Sequence, residues 1–191
     1  MGGFFPIFDK IRFFEGRAAM TQKSFSSMHG IALPKTRESY PLNIGGVDTL
    51  VAHCSDPRFQ EAFQLFILEE LELKPGSYDP IVIPGASQLL TFADSFPKFA
   101  SGFTRSMEFL VKAHHLKRTV IIMHEDCLWY SEFVPKFVTR HMNPRDRQIS
   151  DLLKTKKLIE EKFPRQMQIE MFYASIQPPD RVTFSEIKEG K

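Results

Sequence analysis

Two short segments hold both cysteines of the chain, together with other side chains that can bind a metal ion. The first segment, CSDPR, places Cys54, Asp56 and Arg58 at alternate positions. The second, HEDC, places His124 three residues before Cys127. Thiolate, imidazole and carboxylate groups are the ligands that tetrahedral zinc takes in proteins. If the two segments meet in space, they supply a zinc site.

The carboxylate of Asp56 has two alternative roles at such a site. It can close the site as a fourth ligand, or it can pair with Arg58 and leave one position on the metal for water, as in catalytic sites. The guanidinium of Arg58 suits the second role, because it stays charged and can hold a carboxylate through two hydrogen bonds. The sequence leaves both roles open.

The elements around the two segments predict where they lie. Mostly apolar, β-branched runs predict strands, and apolar residues at helical spacing predict helices. The predicted strands are 47–54, 79–85, 118–124 and 166–176, and the predicted helices are 57–73, 106–116 and 144–163. Alternating strands and helices predict an α/β fold with a mostly parallel central sheet of four to five strands flanked by helices. Ligands gather beyond the carboxyl ends of such strands, where both cysteines would lie.

The composition excludes two classes of partner. The chain has 191 residues, of which 42% are hydrophobic and 25% charged, and its net charge is +2. The charges are mixed along the chain, so we expect no nucleic acid partner. No apolar run approaches the ~18 residues of a membrane span, and charged residues interrupt the apolar start, unlike a signal peptide. We therefore expect a cytoplasmic protein, in which thiols stay reduced.

The chain divides into an N-terminal arm and lead-in, 1–46, and a zinc-binding α/β domain, 47–191. The arm carries seven large apolar residues between positions 4 and 14. Burying each of them is worth ~2 kcal/mol, so we expect the arm to be covered. It packs either on its own domain or on a neighbouring subunit, and the sequence favours neither.

The two motifs, taken in order, resemble those of the β-class carbonic anhydrases. C-x-D-x-R at the end of one strand, a second strand-and-helix unit and H-x-x-C at the end of another strand are typical of that family. The segments 106–127 and 171–187 are also similar to the family's helix and strand before the histidine and to its last strand and following turn. The resemblance covers residues 47–187.

The resemblance implies zinc ligands, a reaction and an assembly. The ligands would be Cys54, His124 and Cys127, with Asp56 as an exchangeable fourth ligand and Arg58 as its partner. The reaction would be the reversible hydration of carbon dioxide to bicarbonate by a zinc-bound hydroxide, with Asp56 and Arg58 as catalytic residues. The assembly would be a homodimer or a dimer of dimers.

Three departures from the family pattern change the expected pocket. Met123 and Leu128 stand where the family usually has glycine, before the histidine and after the second cysteine. The loop PGASQ, with Gly85 and Ala86 in the expected substrate pocket, replaces an Arg-Asn-Ala-Gly loop. These changes favour one alternative function, which is hydrolysis of a related linear molecule such as carbonyl sulfide or carbon disulfide. A second alternative is a non-catalytic zinc protein whose site Asp56 closes permanently.

Other polar and aromatic residues near the motifs have simpler expected roles. His53 should lie on the face of its strand opposite Cys54, and His114 and His115 should complement the end of a helix. We expect Glu125 to face solvent and Asp126 to act in the turn or beside the ligands. Trp129 and Tyr130 should serve packing or a dimer contact.

Overall fold

A computed structural model of the protein describes residues 42–43, 45–133, 143–163 and 167–189. Within these residues, five strands form one sheet in the order β2-β1-β3-β4-β5. The strands are β1 (Thr49–His53), β2 (Tyr78–Val82), β3 (Arg118–His124), β4 (Gln168–Gln177) and β5 (Arg181–Glu186). The first four are parallel to their neighbours, and β5 runs antiparallel to β4. This architecture confirms the predicted α/β fold with a mostly parallel sheet.

Five α-helices in the described part of the chain flank the sheet. They are α1 (Gln60–Glu69), α2 (Gln88–Thr91), α3 (Pro97–His114), α4 (Leu128–Phe133) and α5 (Pro144–Lys162), and a short 3-10 turn (Pro57–Phe59) leads into α1. Prolines start the 3-10 turn, α3 and α5, because the first helical residue needs no amide donor. None of the described helices is long and apolar enough to cross a bilayer.

The central strands β1 and β3 are buried on both faces of the sheet. Val120 and Ile122 of β3 pack with Phe63 and other residues of α1 on one face. Ile121 on the opposite face packs with Leu152 of α5 and with residues of α3. Successive side chains of a strand point to opposite faces, and this explains why β3 is apolar throughout its middle.

Several predicted boundaries and elements differ from the structure. Helix α3 begins at Pro97 rather than at 106, because its first half buries Phe103 against the core. Strand β2 ends at Val82 rather than at 85, because Gly85 has φ 74° and Ala86 has φ 47°, which turn the chain. The sequence predicted neither the short helices α2 and α4 nor strand β5, which is short, lies at the sheet edge and is mostly exposed.

The order of the strands creates a crevice at one point. The chain passes from β1 to β2 on one side of β1, then returns to place β3 on its other side. The connections that leave the carboxyl ends of β1 and β3 therefore diverge, which is where open α/β sheets bind ligands. The Phe-rich segment of the N-terminal arm lies outside the described residues, so the division at 46/47 stays a prediction.

Candidate metal centre

The fold brings Cys54, His124 and Cys127 together. Cys54 follows β1, His124 ends β3, and the turn after β3 returns Cys127 to the same place. Their candidate ligand atoms lie within 4.8 Å of one another, and all three residues are buried. Two sulfurs bound tetrahedrally to zinc at ~2.3 Å would lie about 3.8 Å apart, so the cluster has the size of a zinc site.

The ring of His124 is oriented to present a free nitrogen. Its Nδ1 lies 2.8 Å from the carbonyl oxygen of Glu125, so the Nδ1–H donates to that oxygen and Nε2 keeps its lone pair. Nε2 is buried and has no hydrogen-bond partner among the described residues. An unsatisfied buried acceptor is costly. A metal ion would satisfy it, and so the residues present fit a bound metal.

The pKa values of the two thiols are shifted in opposite directions. A hydrogen bond from Cys127 lowers the pKa of Cys54 most, burial opposes this shift, and the Gly85 amide, whose nitrogen lies 3.4 Å from the Cys54 sulfur, lowers the pKa further. The hydrogen bond to Cys54, burial and the charge on Cys54 raise the pKa of Cys127. The pair therefore gives up its first proton readily and its second reluctantly, as expected for two like groups in contact. A divalent cation in this place would favour two thiolates.

Arg58 links the two ligand segments. Its Nε and Nη2 donate to the Asp56 carboxylate at 3.1 and 2.8 Å, and this ion pair lowers the pKa of Asp56. Its Nη1 and Nη2 also donate to the side chain and the carbonyl oxygen of Asp126, both at 2.8 Å. Asp126 has φ 54°, which confirms its place in the turn beside the ligands. The structure thus pairs Asp56 with Arg58, and the role of Asp56 as a fourth ligand stays a hypothesis.

The cluster has an open side and a closed side. On the open side, a cavity of about 760 Å³ is lined by Cys54, Asp56, Arg58, Leu128, Trp129 and Phe133, among others. On the closed side, the three ligands, Gly85, Ala86 and Met123 together line an enclosed space with no room for a water molecule, and of the ligands only Cys54 also lines the open cavity. Gly85 and Ala86 therefore lie beside the ligand cluster, and neither lines the open cavity. Their role towards a substrate stays a prediction.

Neighbouring residues largely follow their expected roles. His53 is buried against Phe63, with its ring nitrogen 3.0 Å from the carbonyl oxygen of Cys54. At the end of α3, His114 lies 2.6 Å from Asp79, and His115 caps the helix with φ 54°.

The aromatic pair after Cys127 packs inside the described domain. Trp129 packs against Phe92, and the hydroxyl of buried Tyr130 donates to Asp151 at 2.9 Å. The packing role expected of both residues is confirmed.

The expectation for Glu125 was wrong. Its side chain is half-buried, and its carboxylate accepts a hydrogen bond from the Ile176 amide at 2.8 Å. The pattern H-E-D-C gave no sign of this contact, because Ile176 belongs to β4 and lies far along the chain.

Sequence reasoning also missed a buried polar chain behind His124. The Nε2 of Gln148 on α5 donates to the carbonyl oxygen of His124 at 3.2 Å, and the hydroxyl of Tyr173 on β4 donates to the Oε1 of Gln148 at 2.6 Å. A polar residue at a core-facing position of α5 was the one available signal, because Gln148 shares that buried face with Leu152.

Comparisons with known proteins give a weak likeness. No protein-family model matches the chain, and no curated protein sequence does. Among solved structures, it is similar to the β-carbonic anhydrase CafA of the fungal pathogen Aspergillus fumigatus, with 14% identity and a TM-score of 0.49 over 78% of this chain and 79% of the other. It is also similar to β-carbonic anhydrase isoform I of the protozoan Trichomonas vaginalis, with 14% identity and a TM-score of 0.48 over 85% of this chain and 91% of the other.

A third similar structure comes from a pair described as two tetrameric β-carbonic anhydrases of the ascomycete Sordaria macrospora. It is 16% identical, with a TM-score of 0.45 over 73% of this chain and 81% of the other. At these identities and TM-scores, the likeness does not assign the chain to a family.

Proposed function

We propose that Cys54, His124 and Cys127 bind zinc and that the protein catalyses the reversible hydration of carbon dioxide to bicarbonate. The observation that carries the proposal is the unpartnered, buried Nε2 of His124 beside two thiols, of which that of Cys54 lines an open cavity. Two sulfurs and one imidazole nitrogen form a typical zinc ligand set. Zinc held there acts as a Lewis acid that makes water reactive near neutral pH.

Asp56 and Arg58 act as catalytic residues in this proposal. Arg58 keeps Asp56 ionised, as the lowered pKa of that carboxyl indicates. The ionised carboxylate, at the edge of the cavity, can accept a hydrogen bond from a reacting water molecule and so orient it. If Arg58 released it, Asp56 could instead serve as the exchangeable fourth ligand. The bond from Arg58 to Asp126 stabilises the first arrangement.

The residues that line the open cavity and the enclosed space have different proposed roles. The apolar walls of the open cavity, including Leu128 and Trp129, suit an uncharged substrate such as carbon dioxide. Gly85 and Ala86 share with the three ligands an enclosed space that has no room for a water molecule. Gly85 also donates its amide to the Cys54 sulfur, which favours the thiolate.

Metal analysis and stopped-flow kinetics test the proposal. Protein purified without added metal should contain about one zinc per chain, and it should accelerate carbon dioxide hydration between pH 7 and 9. Cys127→Ser should lose zinc and activity. Asp56→Asn should keep zinc and lose activity, while the control Asp79→Asn, at the amino end of β2, should keep both. A zinc-loaded protein with no rate above buffer would contradict the reaction.

Two alternative functions each have a supporting observation. The cavity of about 760 Å³ is large for carbon dioxide and apolar near Leu128, which favours carbonyl sulfide or carbon disulfide. Sulfide release from either compound, measured beside carbon dioxide hydration, separates these substrates. Of the three ligands only Cys54 lines the open cavity, and this enclosure of the other two favours a non-catalytic closed site. X-ray absorption that shows a carboxylate ligand at every pH would support closure.

We also propose a cytoplasmic homodimer or dimer of dimers. Phe99 and Phe109 on α3 are 67% and 68% exposed, and large apolar side chains at such exposure favour a protein contact. Light scattering should give at least twice the chain mass. Phe109→Ser should weaken the assembly, while the control Leu65→Ser on α1 should not. A monomeric wild type would contradict the assembly.

A further inference from the structure

The backbone around His124 departs from a regular parallel ladder at one residue. The last regular bond between β3 and β4 in this region runs from the Glu125 amide to the Ala174 carbonyl, at 2.8 Å. In a regular parallel ladder, the next bond would run from the Ile176 amide to the Glu125 carbonyl. Instead, the Ile176 amide donates to the Glu125 carboxylate at 2.8 Å.

This departure leaves the Glu125 carbonyl free for another donor. That donor is the Nδ1–H of His124, whose ring nitrogen lies 2.8 Å from the same oxygen. The bond fixes the tautomer of the imidazole, because a proton held on Nδ1 leaves the lone pair on Nε2. Nε2 is the buried atom without a partner that belongs to the metal cluster.

We propose that Glu125 is a positioning residue for the metal centre. Its carboxylate accepts the hydrogen bond of the Ile176 amide, which the Glu125 carbonyl would otherwise accept. The carbonyl therefore stays available to the Nδ1–H of His124. The inference rests on the proposed metal site, where His124 is the nitrogen ligand. Glu125 itself touches neither the metal position nor the open cavity, so it acts only through the orientation of the His124 ring.

A second, independent hydrogen bond holds the main chain of His124. Gln148 donates to the His124 carbonyl, and Tyr173 fixes the direction of the Gln148 amide by donating to its oxygen. Both residues are almost fully buried, at 3% and 0% exposure. With its main chain held in this way and its ring packed against Phe59 at a centroid distance of 4.3 Å, His124 is left with one choice, which is whether its Nδ1–H occupies the Glu125 carbonyl. Glu125 decides that choice.

The role of Glu125 predicts different effects for different substitutions. Glu125→Ala removes the carboxylate, so the Ile176 amide can take the Glu125 carbonyl and displace the imidazole Nδ1–H. Glu125→Gln keeps an oxygen acceptor in the same place and should preserve the arrangement without the charge. Glu125→Asp shortens the side chain and should give an intermediate effect. Glu186→Ala is the control, because it removes an exposed carboxylate from the neighbouring strand β5.

Two measurements test the proposal, one with metal and one without. Chelator competition should show at least tenfold weaker zinc binding for Glu125→Ala, the usual loss when a group that orients a metal-bound histidine is removed. Glu125→Gln and the control should bind within about threefold of wild type, less than that usual loss. In metal-free protein at pH 8, nitrogen NMR with labelled histidine should show Nδ1–H at His124 in wild type and an increased share of Nε2–H in Glu125→Ala.

The outcomes separate this inference from the proposed function. Wild-type protein that binds no zinc would contradict the metal site, while the tautomer measurement would still decide the role of Glu125. A Glu125→Ala variant with the wild-type tautomer and affinity would overturn the role. A Glu125→Gln variant as impaired as Glu125→Ala would overturn it too, because charge rather than the acceptor would then be responsible. If Glu125→Ala does not fold, the comparison of Glu125→Asp with Glu125→Gln decides.

Discussion

Substitution of Gly85 by alanine tests the close contact between Gly85 and the Trp129 ring beside the ligand cluster. Gly85 has φ 74°, and a Cβ built on it would lie 2.5 Å from the Cδ2 atom of the Trp129 ring. Holding a residue with a Cβ in a left-handed conformation costs about 1–2 kcal/mol, and overpacking typically costs about 1–3 kcal/mol. We therefore expect Gly85→Ala to lower the free energy of unfolding by about 2–5 kcal/mol, a large part of the ~5–15 kcal/mol of a typical domain.

Denaturant unfolding in the presence of a chelator measures this effect without a metal contribution. Trp129 is the single tryptophan of the chain, so its fluorescence reports directly on the ring that the new methyl group would displace. The matched control is Gly102→Ala in α3, where a Cβ would meet nothing within 4 Å. That control should stabilise the protein by about 0.5–1 kcal/mol, because alanine is the better helix former.

A double-mutant cycle with Trp129→Ala separates the two costs, with circular dichroism as the signal. Without the ring, Gly85→Ala should cost only the backbone part, about 1–2 kcal/mol. The coupling between the two positions should then be about 1–3 kcal/mol. A Gly85→Ala variant within about 0.5 kcal/mol of wild type, the range of ordinary surface changes, would refute the reasoning. An equal cost in both backgrounds would refute the clash with Trp129.

Three further substitutions, one of them with a matched control, test other contacts. Gln148→Met removes the donor to the His124 carbonyl and should weaken zinc binding about tenfold in chelator competition. Thr155→Val, which breaks another bond from α5 to a carbonyl, should leave zinc binding unchanged. Burial lowers the pKa of His53 in the folded protein, because it disfavours the charged imidazole. The contribution of neutral His53 to the free energy of unfolding is therefore complete above the unfolded pKa of ~6.5 and is lost as the pH falls below that value. His53→Gln should therefore flatten the loss of unfolding free energy between pH 7.5 and 5.5 in metal-free protein, and an equal loss would contradict this. Tyr130→Phe removes one hydrogen-bond donor from the buried carboxylate of Asp151 on α5, so it should lower the free energy of unfolding in urea by about 1–3 kcal/mol. An unchanged free energy would show that the other partners of this carboxylate satisfy it.

Much of the fold and of the ligand set could be predicted from the sequence. The apolar run 118–124 and the residues before Cys54 predicted two buried strands, and the structure has both. Parallel strands align their carboxyl ends at one edge of a sheet. Two ligand motifs placed directly after strands were therefore expected to meet, and the ligand atoms of Cys54, His124 and Cys127 do meet. Local patterns sufficed here because strand periodicity and ligand type are properties of neighbouring residues.

Other features depended on residues far apart in the chain, and only the tertiary structure decided them. Arg58 bonds to Asp126, 68 positions away, and Glu125 bonds to Ile176, 51 positions away. The sequence predicted a solvent-exposed Glu125, because nothing near H-E-D-C shows which amide of β4 lies beside it. The pairing of β3 with β4 and the packing of α5 behind His124 set these distances. The sequence by itself determined which groups could bind a metal, and the sheet register determined which nitrogen of His124 is left free to do so.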